Sequence, residues 1–211
     1  MTKPFSVKNE RKADFPINPI FLKRWSPRSL RSDVSEKELM SLFEAARWAP
    51  SSSNEQPWRF LYAKNGSYEW NDFFDLLDDF NKLWCKNAAY LLVLISRNTY
   101  MKKKDEKNED CIEKPNKTHS LDSGSAWMSL ALQGRENNLI THAMAGFDYE
   151  KARTLLSIPS THTIECMIAI GKEGEIEKSI PQRMQKSEVP NSRKRVREFI
   201  YHGKFPLNDW K

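Results

Sequence analysis

Arg24-Trp25-Ser26-Pro27-Arg28 places two guanidinium groups and a hydroxyl in one short segment. Guanidinium forks match phosphate oxygens two at a time, and a serine adds a further hydrogen bond. A second basic run, Pro190-Asn191-Ser192-Arg193-Lys194, lies far along the chain, where a fold could bring it beside the first. Between them, Ala49 to Trp58 reads A-P-S-S-S-N-E-Q-P-W, a stiff stretch of hydroxyls and side-chain amides between prolines. Such a loop suits a polar heteroaromatic ring carrying a hydroxylated chain. Met144-Ala145-Gly146-Phe147-Asp148 adds a glycine that permits close backbone approach to a flat ligand. Taken singly, each segment also reads as an ordinary solvated turn or charge run.

Other chemistries lack their residues. The seven glycines form no G-x-G-x-x-G and no P-loop. His119, His142, His162 and His202 are isolated, no H-E-x-x-H is present, and no metal site is expected. Ser51 to Ser53 do not lie in G-x-S-x-G. Cys85, Cys111 and Cys166 are odd in number and widely spaced, which suggests neither disulfides nor metal ligation and fits a reducing cytoplasm. No side chain stands out as catalytic, so a bound organic cofactor is expected to carry the chemistry.

The elements that position these segments are legible in part. Residues 19–24 begin a short helix that delivers Arg24. Ser35 to Glu38 form a capping box, and Leu39, Leu42, Phe43 and Ala46 follow at helical spacing. Pro50 closes that helix. Strands are predicted at 59–63, 89–96 and 163–170, the second continuously apolar as a central strand should be and the third ended by Gly171. Helices are predicted at 70–84 and 120–138, and a shorter one starts after Asp148 as N-cap. Phe73, Phe74, Leu77 and Phe80 form the buried side of the first. The second carries Leu121, Ser125, Met128, Leu132 and Arg135, with small residues that admit another backbone.

The 211 residues, 39% hydrophobic and 29% charged, suit a single domain over 1–211. It has an irregular arm at 1–18, a polar excursion or lid at 97–118 and a basic arm at 179–211 anchored by Phe199, Ile200, Phe205 and Trp210. Helices interleaved with few strands indicate α+β. A net charge of +6 without a nucleic-acid signature points to an anionic small ligand, not to nucleic acid. The longest apolar run, Ala88 to Ile95, is far short of the roughly 20 residues that cross a bilayer. No signal peptide is evident, and no membrane partner is expected.

Together these segments resemble the nitroreductase family. That family opens on Arg-(Arg or His)-Ser-x-(Arg or Lys), matched at Arg24 to Arg28, and continues with A-P-S-x-x-N-x-Q-P-W, complete at 49–58. A long helix, Gly146-Phe147, a strand ending Ile170-Gly171 and a basic C-terminal element follow in order, so the resemblance spans about 20 to 200. It implies a central mixed or antiparallel sheet flanked by helices, in an intertwined homodimer with two FMN sites at its interface. Arg24, Ser26 and Arg28 then look like phosphate and ribityl contacts, with Trp25 in the family's usual basic position. Pro50, Ser51, Ser52 and Asn54 look like ring and ribityl contacts. Met144, Ala145 and Gly146 would follow the isoalloxazine edge, and Arg193 with Lys194 would complete the phosphate site.

The resemblance further implies ping-pong electron transfer from NADPH or NADH to a small planar acceptor such as a nitroaromatic or quinone. Alternatives keep the fold with another reaction, such as dehalogenation, flavin breakdown or dehydrogenation, or keep flavin binding without turnover. Three departures stand out. Trp25 replaces a basic residue, Ala143 and Ala145 stand where a well-studied branch has Pro and Glu, and the basic residue before the central strand is unmatched. Trp84 is nearest that last position, with Asn81 and Lys82 as substitutes.

Overall fold

Leu91, Val93 and Ile95 belong to one apolar cluster, and Tyr90, Leu92 and Leu94 to another. The strand they form is therefore buried on both faces, which is why its sequence does not alternate. The computed structural model describes residues 8–103, 111–175 and 180–206. Its strands are β1 (Leu30–Arg31), β2 (Trp58–Lys64), β3 (Tyr90–Arg97), β4 (Thr99–Lys103), β5 (Cys111–Pro115), β6 (Leu139–Met144) and β7 (His162–Glu173). Its helices are α1 (Ile20–Lys23), α2 (Glu36–Arg47), α3 (Trp70–Phe74), α4 (Asp79–Cys85), α5 (His119–Glu136), α6 (Tyr149–Leu155) and α7 (Gln182–Lys186).

The main sheet is antiparallel throughout. β3 lies between β2 and β7, β6 pairs with β7, and β1 pairs with the last two residues of β7. Leu39, Leu42 and Ala46 of α2 and Ala126 and Leu130 of α5 cover one face. Trp70 and Phe73 of α3, Trp84 and Cys85 of α4 and Ala152 of α6 cover the other. The fold is α+β, as expected from the sequence.

The capping box at α2 forms as read: Glu38 N donates to Ser35 Oγ at 3.3 Å, and Ser35 N to Glu38 Oε2 at 2.8 Å. Asp148 caps α6 by accepting from Lys151 N. Four local expectations need correction. The helix expected at 70–84 is two helices, because Asp78 leaves the helical path, caps α4 through Asn81 N and donates its own N–H to Gly146 O. Phe80, expected inside, is consequently exposed. The excursion at 97–118 contains an antiparallel hairpin of β4 and β5, with 104–110 outside the described residues. β7 continues past Gly171 to Glu173, because a glycine there leaves room for β1: a Cβ would stand 3.0 Å from Arg31 O. β6 was not anticipated at all; its alternation is masked by burial of Leu139, Ile140 and Thr141 in succession.

Candidate functional site

The short helix α1 does deliver Arg24. Ile20 and Lys23 share a groove with Arg135, Glu136 and Asn138, so α1 sits at the C-terminal end of α5. Arg24 follows as the extended C-cap, its guanidinium donating to Ser26 Oγ at 3.3 Å. Arg193 lies near enough for its charge to depress the Arg24 pKa, after burial as the larger cause. Arg11, from the N-terminal arm, is depressed for the same reasons, by burial first and then by Arg193 and Arg24. Among the described residues no carboxylate pairs with Arg11, Arg24 or Arg193. Crowded guanidinium groups without a counter-charge are a ready anion site. The two distant basic runs are thus brought together.

Arg28 is used differently. Buried Glu188 accepts from Arg28 N, from Ser29 N at 2.9 Å and from Ser29 Oγ at 3.2 Å, and its other oxygen lies 3.6 Å from the Arg28 guanidinium. Arg28 is therefore partly neutralised, and Arg24 is the freer cation. Trp25 is half-buried within the segment, and Lys194 is exposed beside Arg193.

The turn after β6 is wired to this segment. Asn81 Nδ2 donates to Gly146 O at 2.9 Å, and Asn81 Oδ1 accepts from Trp84 Nε1 at 3.2 Å. The Trp84 ring lies 4.6 Å from that of His142, and His142 Nδ1 is 3.0 Å from Pro27 O. Asn81 is thus spent on holding the turn. A Cβ on residue 146 would stand 2.2 Å from Asp78 Oδ2, so a larger residue there would have to displace the side chains that cap α4 and hold the turn. Met144 points inward, its sulfur 3.8 Å from Cys85 Sγ, while Ala145 is exposed.

A carbonyl only accepts, so His142 Nδ1 carries the proton in this pair. Burial, followed by the charges of Arg28 and Arg24, pushes the His142 pKa down to about 4, against the bond to Pro27. The neutral ring is the folded form. An unfolded histidine protonates near 6.5. The stabilisation is therefore complete above pH 6.5 and is lost as pH falls toward 4, by roughly 3 kcal/mol at most. Urea unfolding at pH 7, 5.5 and 4.5 should show this slope in the wild type and a shallower one in His142→Gln. Parallel slopes would remove His142 from the acid response.

The Ala49 to Trp58 loop lies elsewhere. Ser53, Asn54 and Gln56 all take left-handed backbone, at φ 52, 58 and 47°. Such conformations in non-glycine residues concentrate at functional sites. The loop is pinned by Gln56 N to Ser51 Oγ at 3.0 Å and by Ser52 N to Asp122 Oδ2 at 3.3 Å. Asp122 is in the first turn of α5, and the helical rise puts it roughly 20 Å from Arg135. Pro50, Ser51, Ser52 and Asn54 therefore sit at one end of α5, and Arg24 at the other. The fold does not unite these two motifs within one chain.

Sequence reasoning missed Arg11, Glu188 and the roles of His142 and Asn81. All four act through backbone oxygens or N–H groups supplied by remote segments, and no local pattern announces such partners. Among the described residues no group of acidic, histidine or cysteine side chains could hold a metal ion. No helix there is long and apolar enough to cross a membrane.

The chain thus carries an antiparallel sheet, a guanidinium cluster at one end of its long helix and a serine-rich left-handed loop at the other. The nitroreductase family model matches residues 22–77. A solved oxidoreductase containing FMN is 36% identical, with 98% of this chain and 99% of that chain covered at a TM-score of 0.85. A nitroreductase family protein from Clostridium difficile 630 is 18% identical, with 90% and 100% covered and a TM-score of 0.66. An FMN-dependent nitroreductase from Clostridium difficile R20291 is 21% identical, with 87% and 96% covered and a TM-score of 0.58. Comparison with curated protein sequences returned no match. The chain belongs to the nitroreductase family.

Proposed function

We propose that this chain is an FMN-dependent oxidoreductase working as a cytoplasmic homodimer. NADPH or NADH is its donor, and a nitroaromatic, quinone or related planar compound its acceptor. The observation that carries this reading is the guanidinium cluster of Arg24 and Arg193, which has no described carboxylate partner and lies beside the Ser26 hydroxyl. That donor set fits a phosphate monoester, and the 36% identical relative is an oxidoreductase containing FMN. FMN held there would supply the redox chemistry, connecting a hydride donor and an electron acceptor in ping-pong order.

The residues supply position and charge. Arg24, Ser26 and Arg193 would hold the phosphate, with Arg28, Lys194 and Trp25 beside them. The backbone of Met144, Ala145 and Gly146 would face the ring system. Pro50, Ser51, Ser52 and Asn54 come from a second copy, because their own chain holds them at the far end of α5. Leu121, Gly124, Ser125 and Met128 share the outward side of α5, with Leu121 73% exposed. Small residues flanked by exposed Leu121 and Met128 on a long helix suit packing against its own copy. No side chain need act as an acid or base.

The purified protein should show flavin absorbance that NADPH or NADH bleaches, and heat should release FMN and not FAD. Arg24→Ala should weaken FMN binding about ten- to a hundredfold, the loss of one charge-assisted hydrogen bond to phosphate. Arg28→Ala is the poorer probe, since it also disturbs Glu188. A colourless protein that does not take up FMN on titration would end this reading.

A further inference from the structure

We propose that Arg11 is a positioning residue that assembles the phosphate end of the cofactor site, tying the C-terminal basic run to the Arg24 segment through the N-terminal arm. This rests on the FMN reading above. The three parts of the cluster are remote in sequence, and each long arginine has many rotamers to lose on ordering. Something must hold their mutual repulsion in place before the anion arrives.

Arg11 makes that tie with its whole fork. Its NH1 donates to Arg24 O at 2.7 Å and to Leu22 O at 3.2 Å. Its Nε donates to Asn191 O at 2.7 Å, and its NH2 to Asn191 Oδ1 at 3.0 Å. The same Asn191 Oδ1 accepts from Arg193 NH1 at 2.7 Å. One amide oxygen therefore joins Arg11 to Arg193, while the opposite edge of Arg11 holds the backbone of Arg24. The arm is fastened on both sides of this point. Asn9 Nδ2 donates to Leu22 O at 2.9 Å, and Asp14 accepts from Val196 N at 2.9 Å and pairs with Arg195 at 2.5 Å.

All the described partners of Arg11 are neutral oxygens. They fix its geometry without cancelling its charge, so it adds a third positive charge beside Arg24 and Arg193. The matching family segment begins at residue 22, and the arm lies before it. Lysine is a point donor and cannot reproduce a planar fork that serves four hydrogen bonds.

The test is fluorescence titration of the full-length protein, freed of flavin, with FMN and with riboflavin, which lacks the phosphate. Arg11→Gln should weaken FMN about tenfold and leave riboflavin within about twofold, as a misplaced phosphate contact predicts. Arg11→Lys should not rescue it. Asn191→Ala, which removes the shared oxygen from the other side, should reproduce the loss. The double variant should be no worse than either single one, because both break one tie. Trypsin should also cut between Arg193 and Arg197 faster in both variants. If the wild type prefers FMN to riboflavin and both variants do so equally, the inference is overturned while the cofactor reading stands. If the wild type binds neither flavin, the cofactor reading has failed, and the inference with it. Equal loss of FMN and riboflavin, with a lowered unfolding temperature, would show general destabilisation and overturn the positioning role.

Discussion

A chain ending at Pro190 is expected to lose its bound flavin and its dimer mass together. Three features of the tail support this outcome. Arg193 leaves with the deleted segment, and with it a charge of the guanidinium cluster. Phe199, Ile200 and Phe205 are each more than half exposed on their own chain, which is unusual for three large apolar residues so close in sequence. Trp210, the remaining anchor read from the sequence, lies outside the described residues. Ile180 and Met184 pack into the core, but past Pro190 the described residues are fastened to their own chain by polar ties at Asp14 and Arg11, with no buried apolar side chain among them. The aromatic side chains gain stability only by covering something else, and a second copy is the surface the α5 stripe offers. Light scattering with a flavin absorbance readout on one sample checks both quantities. A truncated monomer holding stoichiometric FMN would show that the site is complete within one chain. The shared-site proposal would then be wrong.

Glu188→Ala is expected to cause the largest stability loss of any single substitution in the site. The carboxylate is only 5% exposed and serves the backbone N–H groups of Arg28 and Ser29 as well as the Ser29 hydroxyl. Its ion pair with Arg28 adds less, because that arginine is partly in water at 26% exposure. The cost comes from orphaned donors, at about 1–3 kcal/mol for each buried one. The unfolding temperature should fall by roughly 10 °C in a chain of this size. Glu188→Gln keeps an acceptor oxygen and should lose less. Calorimetry on the two variants and the wild type tests this ranking. A Glu188→Ala protein as stable as the wild type would show that water replaces the carboxylate without penalty.

Both predictions concern the C-terminal arm, and that arm shows where sequence reading stops. Its basic run at Arg193 and Lys194 reads alone as a charge run, and as phosphate contacts only through the family resemblance. Its apolar residues, expected as anchors, stand exposed on their own chain at Phe199, Ile200 and Phe205. That Glu188 reaches back to the Arg28 backbone was not legible, since an isolated glutamate in a charged tail looks like any other. His142 was equally silent. Its neutrality and its bond to Pro27 follow from its place between Trp84 of α4 and the Arg24 to Arg28 segment, two parts of the chain remote from each other and from β6.

The sequence by itself determined the elements that local chemistry dictates. The capping box starts α2, the unbroken apolar run makes β3 a central strand, and Asp148 caps α6. It also supplied the two motifs on which the family resemblance rests, the guanidinium pair at Arg24 and Arg28 and the serine-rich loop between Pro50 and Pro57. Tertiary structure decided everything that depends on distance. It split the helix expected at 70–84, where the backbone of Asp78 donates to Gly146 and its side chain caps α4. It gathered Arg11, Arg24 and Arg193 from three remote segments. It also set the Ser51 to Asn54 loop roughly 20 Å away, at the other end of α5. The physical reason is one of range. Caps and periodicity act over a turn or two of chain, whereas charge crowding, backbone tethers and the gap between two half-sites exist only once the sheet and its long helix have fixed where each segment lies.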